Sequence, residues 1–337
     1  MQRSDYLIRK VFFAVTTVIV VIITNFFLFR ILPGDPVKFL IHSPRMTQEV
    51  QKKIRADFGL DKPVWLDTER LREGDLAGAL DTQFTAYIRN LLHGDLGISF
   101  HNRRDVSQVL AERVWRTVVL LVGAEALACV FGMAFGLLAA WRRGTGLDAA
   151  MLLWALFSWA LPTFFLGIIL LILARGHLPV GGMVTPGLKP KDGFTYWADV
   201  GKHLIMPTIT MAVVYTGEYI MIMRSSVVEV LSEDYILTAK AKGLNTFQIL
   251  RDHALKNAML PMVTIISLTL GYVVAGAIQV ETVFSWPGIG RLIYEAVVKR
   301  DYPVLQGAFL LLAISVIAAN LLADLLYSVL DPRVKAE

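Results

Sequence analysis

Six long apolar runs decide what this chain can fold into. They cover approximately residues 8–32, 117–141, 149–173, 203–228, 259–280 and 304–330. A helix needs about 20 apolar residues to cross the hydrocarbon core of a bilayer, where it satisfies its own backbone polar groups. The sequence therefore predicts an all-α integral membrane protein with six transmembrane helices.

The composition agrees with this class and narrows the function. The chain is 55% hydrophobic and 18% charged, with a formal net charge of +5. Because the cations form no basic stripe with interleaved aromatic residues, nucleic-acid binding is not expected. The single cysteine, Cys129, is too few for an intrachain disulfide framework or a cysteine-rich metal site. The first apolar run is too long for the core of a cleavable signal peptide.

Charge and span number predict the topology. Arg3, Arg9 and Lys10 lie before and at the start of the first span and should keep the N-terminus in the cytoplasm, and six spans return the C-terminus to the same side. The predicted divisions are residues 1–32 (N-terminus and first span), 33–116 (an extracytoplasmic segment), 117–330 (a core of five spans) and 331–337 (a cytoplasmic tail).

The segment 33–116 is much longer than an ordinary connection, which is typical of a functional loop or a small domain. Helices are predicted from Thr47 to Gly59 and from Phe84 to Leu92. Asp105 and Gln108 have the spacing of a capping box at the start of a helix that leads into the second span.

Two features of the spans predict how they pack. Pro162 lies near the middle of the third span, where its missing amide donor predicts a kink. Gly132 and Gly136 in the second span have the small-x-x-x-small spacing that lets helices approach closely in lipid.

A polar stretch between the fourth and fifth spans, residues 232–261, is predicted to form two short helices joined at a glycine. Ser232 is expected to cap the first helix and Thr246 the second, because hydroxyl oxygens satisfy unpaired amide groups at helix starts. Gly243 is expected to end the first helix in a left-handed conformation, which costs glycine little. The small residues beside Lys240 indicate a docking surface for a cytoplasmic partner. An amphipathic loop on the lipid headgroups explains the same spacing equally well.

Three carboxylates, Glu125, Glu218 and Asp324, lie inside predicted spans. A charge at a helix centre costs about 2.5–3.5 kcal/mol on insertion scales, so it usually faces a cavity or a partner. Glu218 and Glu125 could line a hydrated pathway and meet an ammonium group of a substrate, or each could pair with a polar neighbour and only stabilise the bundle. Both roles stay open for Glu218, whereas the structural role is favoured for Glu125 and more strongly for Asp324.

Enzymatic chemistry has no support in the sequence. The histidines have no metal-type spacing and no nucleophile can be paired with a base, so neither a metal site nor a catalytic residue is predicted. A G-x-x-x-x-G-K-[S/T] loop, which would cradle ATP phosphates, does not occur. If ATP drives this protein, its hydrolysis belongs to another chain.

Part of the polar stretch resembles the coupling loop of ABC importer permeases. Residues 238–244 and 251–258 are similar to the patterns TA-x-AKGL and R-x-HALRNA of the peptide and nickel branch, although Leu237 and Thr238 replace the Glu-Ala pair of the wider family. The coupling helices would span residues 232–258. The resemblance implies that ATPase subunits are contacted by Thr238, Ala239, Lys240, Ala241, Lys242, Gly243 and Leu244.

Further segments resemble the B-type permeases of oligopeptide, dipeptide and nickel importers, so the likeness covers nearly the whole chain. They are residues 32–36, 58–64, 94–99, 281–290, 300–303 and 320–333. Residues 66–82 match no motif and are interpreted as an enlargement of the extracytoplasmic segment.

The resemblance implies the type I ABC importer permease fold, in the cell membrane of a prokaryote. The chain would form a heterodimer with a C-type permease. Two ABC ATPase subunits would bind ATP and Mg²⁺, so no cofactor and no enzyme activity are expected in this chain. An extracytoplasmic binding protein would deliver oligo- or dipeptides. A nickel or opine substrate is the alternative within the family, and a stand-alone proton-coupled secondary transporter with Glu218 as relay is the alternative outside it.

Overall fold

The computed structural model describes residues 3–31, 61–272 and 277–330. Within these ranges the chain forms helices and loops, with β-structure limited to isolated bridges. The predicted helix from Thr47 to Gly59 lies outside the described residues. The helices are α1 (Arg3–Ile31), α2 (Thr68–Arg72), α3 (Leu76–Ala79), α4 (Gln83–Leu92), α5 (Val106–Trp141), α6 (Gly146–Ala160), α7 (Thr163–Leu173), α8 (Phe194–Val230), α9 (Asp234–Ala241), α10 (Thr246–Ile249), α11 (Leu255–Tyr272), α12 (Ile278–Val283), α13 (Ile289–Lys299) and α14 (Tyr302–Leu330).

Four described helices, α1, α5, α8 and α14, are long and apolar enough to cross a membrane, and the bent pair of α6 and α7 is a fifth span if it is counted as one. The predicted all-α membrane class is therefore confirmed. Helix α11 covers the first part of the predicted fifth span, and residues 273–276 beyond it lie outside the described ranges. The count of six spans stays a prediction.

The third predicted span is broken rather than gently kinked. Helix α6 ends at Ala160 and α7 begins at Thr163, with an angle of 98° between them. Leu161 is extended, with φ −69° and ψ 122°, as expected for a residue that precedes proline. Pro162 cannot donate a backbone hydrogen bond to the preceding turn. The position predicted from Pro162 is confirmed, and the bend is larger than that of a proline kink within one helix.

The two predicted helices nearest to the second span are confirmed. Helix α4 reproduces the predicted helix of residues 84–92 to within one residue. Helix α5 begins at Val106, directly after Asp105. The side chain of Gln108 donates a hydrogen bond to the Asp105 carboxylate at 3.1 Å, which is a contact between side chains and differs from the side-chain-to-backbone bonds of the predicted capping box.

Helix α8 begins at Phe194, well before the predicted start of the fourth span near residue 203. Tyr196 and Val200 in this additional part are buried in an apolar cluster with Met206. Packing against this cluster therefore stabilises α8 beyond the apolar run. The sequence prediction missed these turns because hydropathy detects only the part of a helix that is long and apolar enough to cross a membrane.

Close contacts divide the chain into two compact units. The first contains Met1–Ala14, Trp115–Arg291 and Ser315–Glu337, and the second contains Val15–Val114 and Leu292–Ile314. The polar stretch after α8 thus belongs to the first unit, and helices α2, α3 and α4 belong to the second.

Glycines let α8 approach its neighbours closely in the first unit. A Cβ atom on Gly132 or Gly136 of α5 would overlap atoms of α8. In the same way, a Cβ atom on Gly217 of α8 would overlap the Ala155 carbonyl oxygen of α6. The close contact predicted for the second span is confirmed, and its partner is α8.

A buried carboxylate holds the turn between α12 and α13. Glu281 is 0% exposed. It accepts hydrogen bonds from the Thr117 hydroxyl at 2.8 Å and from the Arg291 backbone N–H at 2.9 Å. The Thr117 oxygen in turn accepts a hydrogen bond from the Ile289 N–H at 2.7 Å. Together Glu281 and Thr117 satisfy amide groups at the start of α13, which have no partner within the helix.

A second buried carboxylate joins two segments of the second unit. Asp301 is 3% exposed. It accepts hydrogen bonds from the Ser99 hydroxyl at 2.5 Å and from the N–H groups of the next two residues at 3.0 and 3.2 Å. Asn25 donates a hydrogen bond to the Gln306 carbonyl oxygen at 3.0 Å. Both α1 and the loop before α5 are therefore fixed to the start of α14 by polar contacts.

Helices α2 and α3 form a small hairpin within residues 66–82. Its two ends meet, because the Asp67 N–H donates a hydrogen bond to the Ala79 carbonyl oxygen at 3.1 Å. The Asp67 side chain also accepts hydrogen bonds from two N–H groups of α2 and caps that helix. Leu76 and Leu80 are 66% and 54% exposed. The enlargement is therefore a capped helical element with apolar side chains on its outer surface.

Candidate functional site

The candidate site is the coupling segment, residues 232–258, between α8 and α11. Its first helix, α9, follows Glu233, which provides no side-chain cap. The predicted cap at Ser232 is wrong, because the Ser232 hydroxyl donates a hydrogen bond to the Glu229 carbonyl oxygen at 2.6 Å. That contact completes the last turn of α8 and leaves the hydroxyl with no role at the start of α9.

Gly243 ends α9 in the left-handed conformation, with φ +79°. Its N–H donates a hydrogen bond to the Lys240 carbonyl oxygen at 2.9 Å, and the Leu244 N–H donates to the Ala239 carbonyl oxygen at 3.4 Å. A Cβ atom built on Gly243 would meet no atom within 4 Å. The predicted conformation is confirmed, and glycine is required there for its backbone conformation rather than for lack of space.

The second helix of the segment is capped by Asn245 rather than by Thr246, so the predicted cap is wrong by one residue. Asn245 accepts a hydrogen bond from the Gln248 N–H at 2.9 Å, and the Gln248 side chain accepts one from the Asn245 N–H at 3.0 Å. This reciprocal pair satisfies two amide groups, whereas a cap at Thr246 would satisfy one. Helix α10 then continues through a π-helical turn, Leu250–Ala254, into α11. It is continuous with α11 and is not a separate short helix.

A small apolar core fixes α9 against the helix that continues into α11. Ile236 and Ala239 of α9 are buried together with Ile249 of α10, and Leu244 packs against them. The side chain of Asn257 donates a hydrogen bond to the Tyr235 hydroxyl at 2.7 Å. Helix α9 is therefore joined to α10 by apolar packing and to α11 by a hydrogen bond.

The outer face of the coupling segment is polar but carries two large apolar side chains. Among the residues that the resemblance selects, Ala239 and Leu244 face the small core, whereas the others are exposed: Thr238, Lys240, Ala241, Lys242 and Gly243. Leu237 is 69% exposed and Phe247 is 57% exposed. Neither residue is among those that the resemblance selects for contact with the ATPase subunits. Helical spacing from Ile236 indicates that Leu237 points outward.

Charged side chains are exposed on the same segment. Lys240 and Lys242 are exposed, and the Arg251 guanidinium lies 5.9 Å from the centre of the Phe247 ring. Arg251 also forms an ion pair with Asp252 at 2.6 Å. The hydrogen bond from Arg251 lowers the pKa of the Asp252 carboxyl, which stays ionised at neutral pH. Exposed apolar side chains and charges therefore occur in the same segment, a combination that is typical of protein interfaces.

The predicted pathway residues lie in the first unit, where α5, α8 and α11 meet. Glu125 is 6% exposed and accepts a hydrogen bond from the Tyr219 hydroxyl. The Tyr219 hydroxyl also lies 3.2 Å from the Thr269 hydroxyl. The Glu218 side chain is half-buried, and no hydrogen-bond or ion-pair partner for it is found among the described residues. The structure thus gives the Glu125 carboxylate a hydrogen-bond donor, whereas the Glu218 carboxylate has none in the described part of the chain.

Asp324 pairs with a cation. Its carboxylate lies 2.8 Å from the Lys10 ammonium, and both side chains are about one third exposed. This ion pair joins α1 to α14 within the first unit and accounts for the charge at the end of the last span.

Comparison with known proteins gives one family over most of the chain. Residues 132–336 match the family model described as "Binding-protein-dependent transport system inner membrane component", and residues 3–121 match the model of its N-terminal part.

Two relatives are similar over 98% of each chain. The dipeptide transport system permease protein of Escherichia coli K12 is 37% identical, and the di/tripeptide transport system permease protein of Pseudomonas aeruginosa UCBPP-PA14 is 33% identical. Among solved structures, the inward-facing methionine ABC transporter MetNI matches 66% of this chain and 97% of its own chain. That match has a TM-score of 0.55 and 17% identity, so it supports the fold alone.

Proposed function

The chain belongs to the family of binding-protein-dependent transport system inner membrane components, and we propose that it is the permease subunit of an ATP-driven importer of peptides. The observation that carries this proposal is its similarity to dipeptide and di/tripeptide permeases over their whole length. The exposed face of the coupling segment supports the same function, because such an importer needs a surface that receives force from an ATPase.

In this proposal, ATP hydrolysis takes place in two separate ATPase subunits, which bind ATP and Mg²⁺. They contact the coupling segment through Leu237, Phe247 and the exposed residues around Lys240. A second, C-type permease completes the passage, and an extracytoplasmic binding protein delivers the peptide. The coupling segment and both termini then lie in the cytoplasm of a prokaryotic cell. Closure of the ATPases displaces α9 and switches the packed spans between two orientations.

Uptake by the reconstituted assembly tests the function. Both permeases, the ATPases and the binding protein are placed in proteoliposomes, and accumulation of labelled peptides of defined length is followed with and without ATP. We expect accumulation of short peptides that depends on ATP and on the binding protein. Uptake driven by a proton gradient in this chain alone would contradict the proposal.

We assign Glu218 to the peptide pathway, where its carboxylate would bind the ammonium group of a peptide. Glu218→Gln should slow the import of peptides with a free N-terminus by about ten- to a hundredfold, since a hydrogen bond to a charged group contributes about 1.5–3 kcal/mol. Import of N-acetylated peptides should not change. Glu229→Gln, at an exposed position near the end of α8, is the matched control. Equal losses for free and acetylated peptides would reassign Glu218 to a structural role.

The α2–α3 hairpin is proposed to contact the binding protein. Because Asp67 and Ala79 are hydrogen-bonded, residues 68–78 can be replaced by a short glycine bridge without moving the ends of the hairpin. We expect this deletion to weaken binding-protein affinity by about tenfold, as the loss of one or two buried apolar anchors does. Leu92→Ser, at an 81% exposed position of the same unit, is the control. Unchanged affinity with normal uptake would contradict this contact.

A further inference from the structure

A bidentate ion pair between Asp148 and Arg224 joins α6 to α8. The Arg224 Nε donates a hydrogen bond to Asp148 Oδ1 at 2.6 Å, and its Nη2 donates to Asp148 Oδ2 at 2.8 Å. The Gly144 N–H donates to the same Oδ2 at 2.9 Å. The Asp148 side chain is 7% exposed and the Arg224 side chain is 21% exposed. Such a fork fixes both the distance and the angle between the groups it joins.

The position of this pair connects the coupling segment to the third span. Arg224 precedes Val230, the last residue of α8, by about 9 Å of helix at about 1.5 Å per residue. Asp148 lies in the first turn of α6. Further along the same two helices, a Cβ atom on Gly217 would overlap Ala155. Helices α6 and α8 are therefore held at two levels, by a charged fork and by close backbone packing.

We propose that Asp148 and Arg224, here called the α6–α8 clamp, are positioning residues that stay joined throughout the transport cycle. The clamp carries the displacement of the coupling segment from α8 to α6, so that both helices move as one body. This inference rests on the proposed importer function. If the pair were instead a latch, it would have to separate and re-form during the cycle. A permanent link between the two positions would then block transport, whereas it should support transport if the pair is a clamp.

Replacement of the clamp by a covalent link is the first test. Asp148→Cys and Arg224→Cys are introduced together in a Cys129→Ala background, which is otherwise free of cysteine. Without a link, peptide import per ATP hydrolysed should fall by about tenfold, within the range that coupling mutations produce. A short bifunctional thiol reagent of matching length should restore the ratio, and reductive cleavage of the link should lower it again. The pair Asp148→Cys and Ser225→Cys, in which position 225 is exposed, is the control and should not be restored.

Two results of this cross-linking test would contradict the clamp. One is peptide import that stays low or stops after cross-linking, and the other is peptide import at the parental level before cross-linking. If the complex that carries Cys129→Ala in this chain imports no peptide at all, the proposed function fails. The clamp is then tested by a distance measurement that does not depend on transport. Spin labels at the exposed positions Leu147 and Ser225 leave the clamp intact. Their distance should be the same with and without trapped nucleotide. A distance that changes between these states would contradict the clamp.

Discussion

Gly243→Val should uncouple ATP hydrolysis from peptide import. Gly243 has φ +79°, and a Cβ atom there would meet nothing within 4 Å. The expected effect therefore comes from the backbone alone. A left-handed conformation costs an ordinary residue about 1–2 kcal/mol, and β-branching increases that cost. Valine should shift the end of α9, displace Ala239 from its small core, and lower the peptide imported per ATP hydrolysed by roughly tenfold.

A series at this position separates backbone strain from side-chain size. Gly243→Asn adds a larger side chain than Gly243→Ala, but asparagine tolerates the left-handed region. We expect the asparagine variant to remain close to wild type, the alanine variant to be intermediate, and the valine variant to be the most impaired. If coupling falls in order of side-chain volume, so that asparagine is worse than alanine, the conformational explanation is wrong.

Glu281→Ala should cause the largest loss of thermal stability. It leaves the Arg291 N–H and the Thr117 hydroxyl without their acceptor in a site where Glu281 is 0% exposed. Each orphaned donor costs about 1–3 kcal/mol, and the vacated volume adds to this, so we expect a loss of about 3–5 kcal/mol. The midpoint of thermal unfolding in detergent should fall by roughly 10 °C for a loss of this size.

Two variants calibrate this loss. Glu281→Gln keeps one acceptor oxygen and should lose about 1–2 kcal/mol. Glu229→Ala removes the side chain of an exposed glutamate and should change stability by no more than about 0.5 kcal/mol. Equal midpoints for Glu281→Ala and Glu229→Ala would show that the buried carboxylate does not support the start of α13.

The parts of the fold that depend on local chemistry could be predicted from the sequence. Apolar length identified the membrane class, Pro162 located the break between α6 and α7, and Gly243 identified the end of α9. Both predicted helix caps were wrong, because the predicted hydroxyl makes a different contact or a neighbouring residue provides the cap. Ser232 completes α8 and does not cap α9, and Asn245 replaces Thr246 because it forms a reciprocal pair with Gln248.

Contacts between distant residues could not be predicted in this way. Thr117 and Glu281 are separated by 164 positions, and neither residue type identifies the other as its partner. The exposed side of the coupling segment could not be predicted from the sequence either. The motif selects Ala239, which is buried, and does not select Phe247, which is 57% exposed. Which side of α9 is available to a partner depends on the packing of Ile236 against Ile249, and a single sequence does not show that contact.

Site-specific photo-cross-linking from position 240 tests the central claim most directly. A photoreactive amino acid replaces Lys240 in the assembled transporter, and the same amino acid at Lys189 serves as the control. Lys189 lies between the third and fourth predicted spans, and a cytoplasmic N-terminus places that loop outside the cell. The proposed function predicts a product between position 240 and a nucleotide-hydrolysing subunit, and no such product from position 189. Products from position 240 that contain only lipid or this same chain would contradict it.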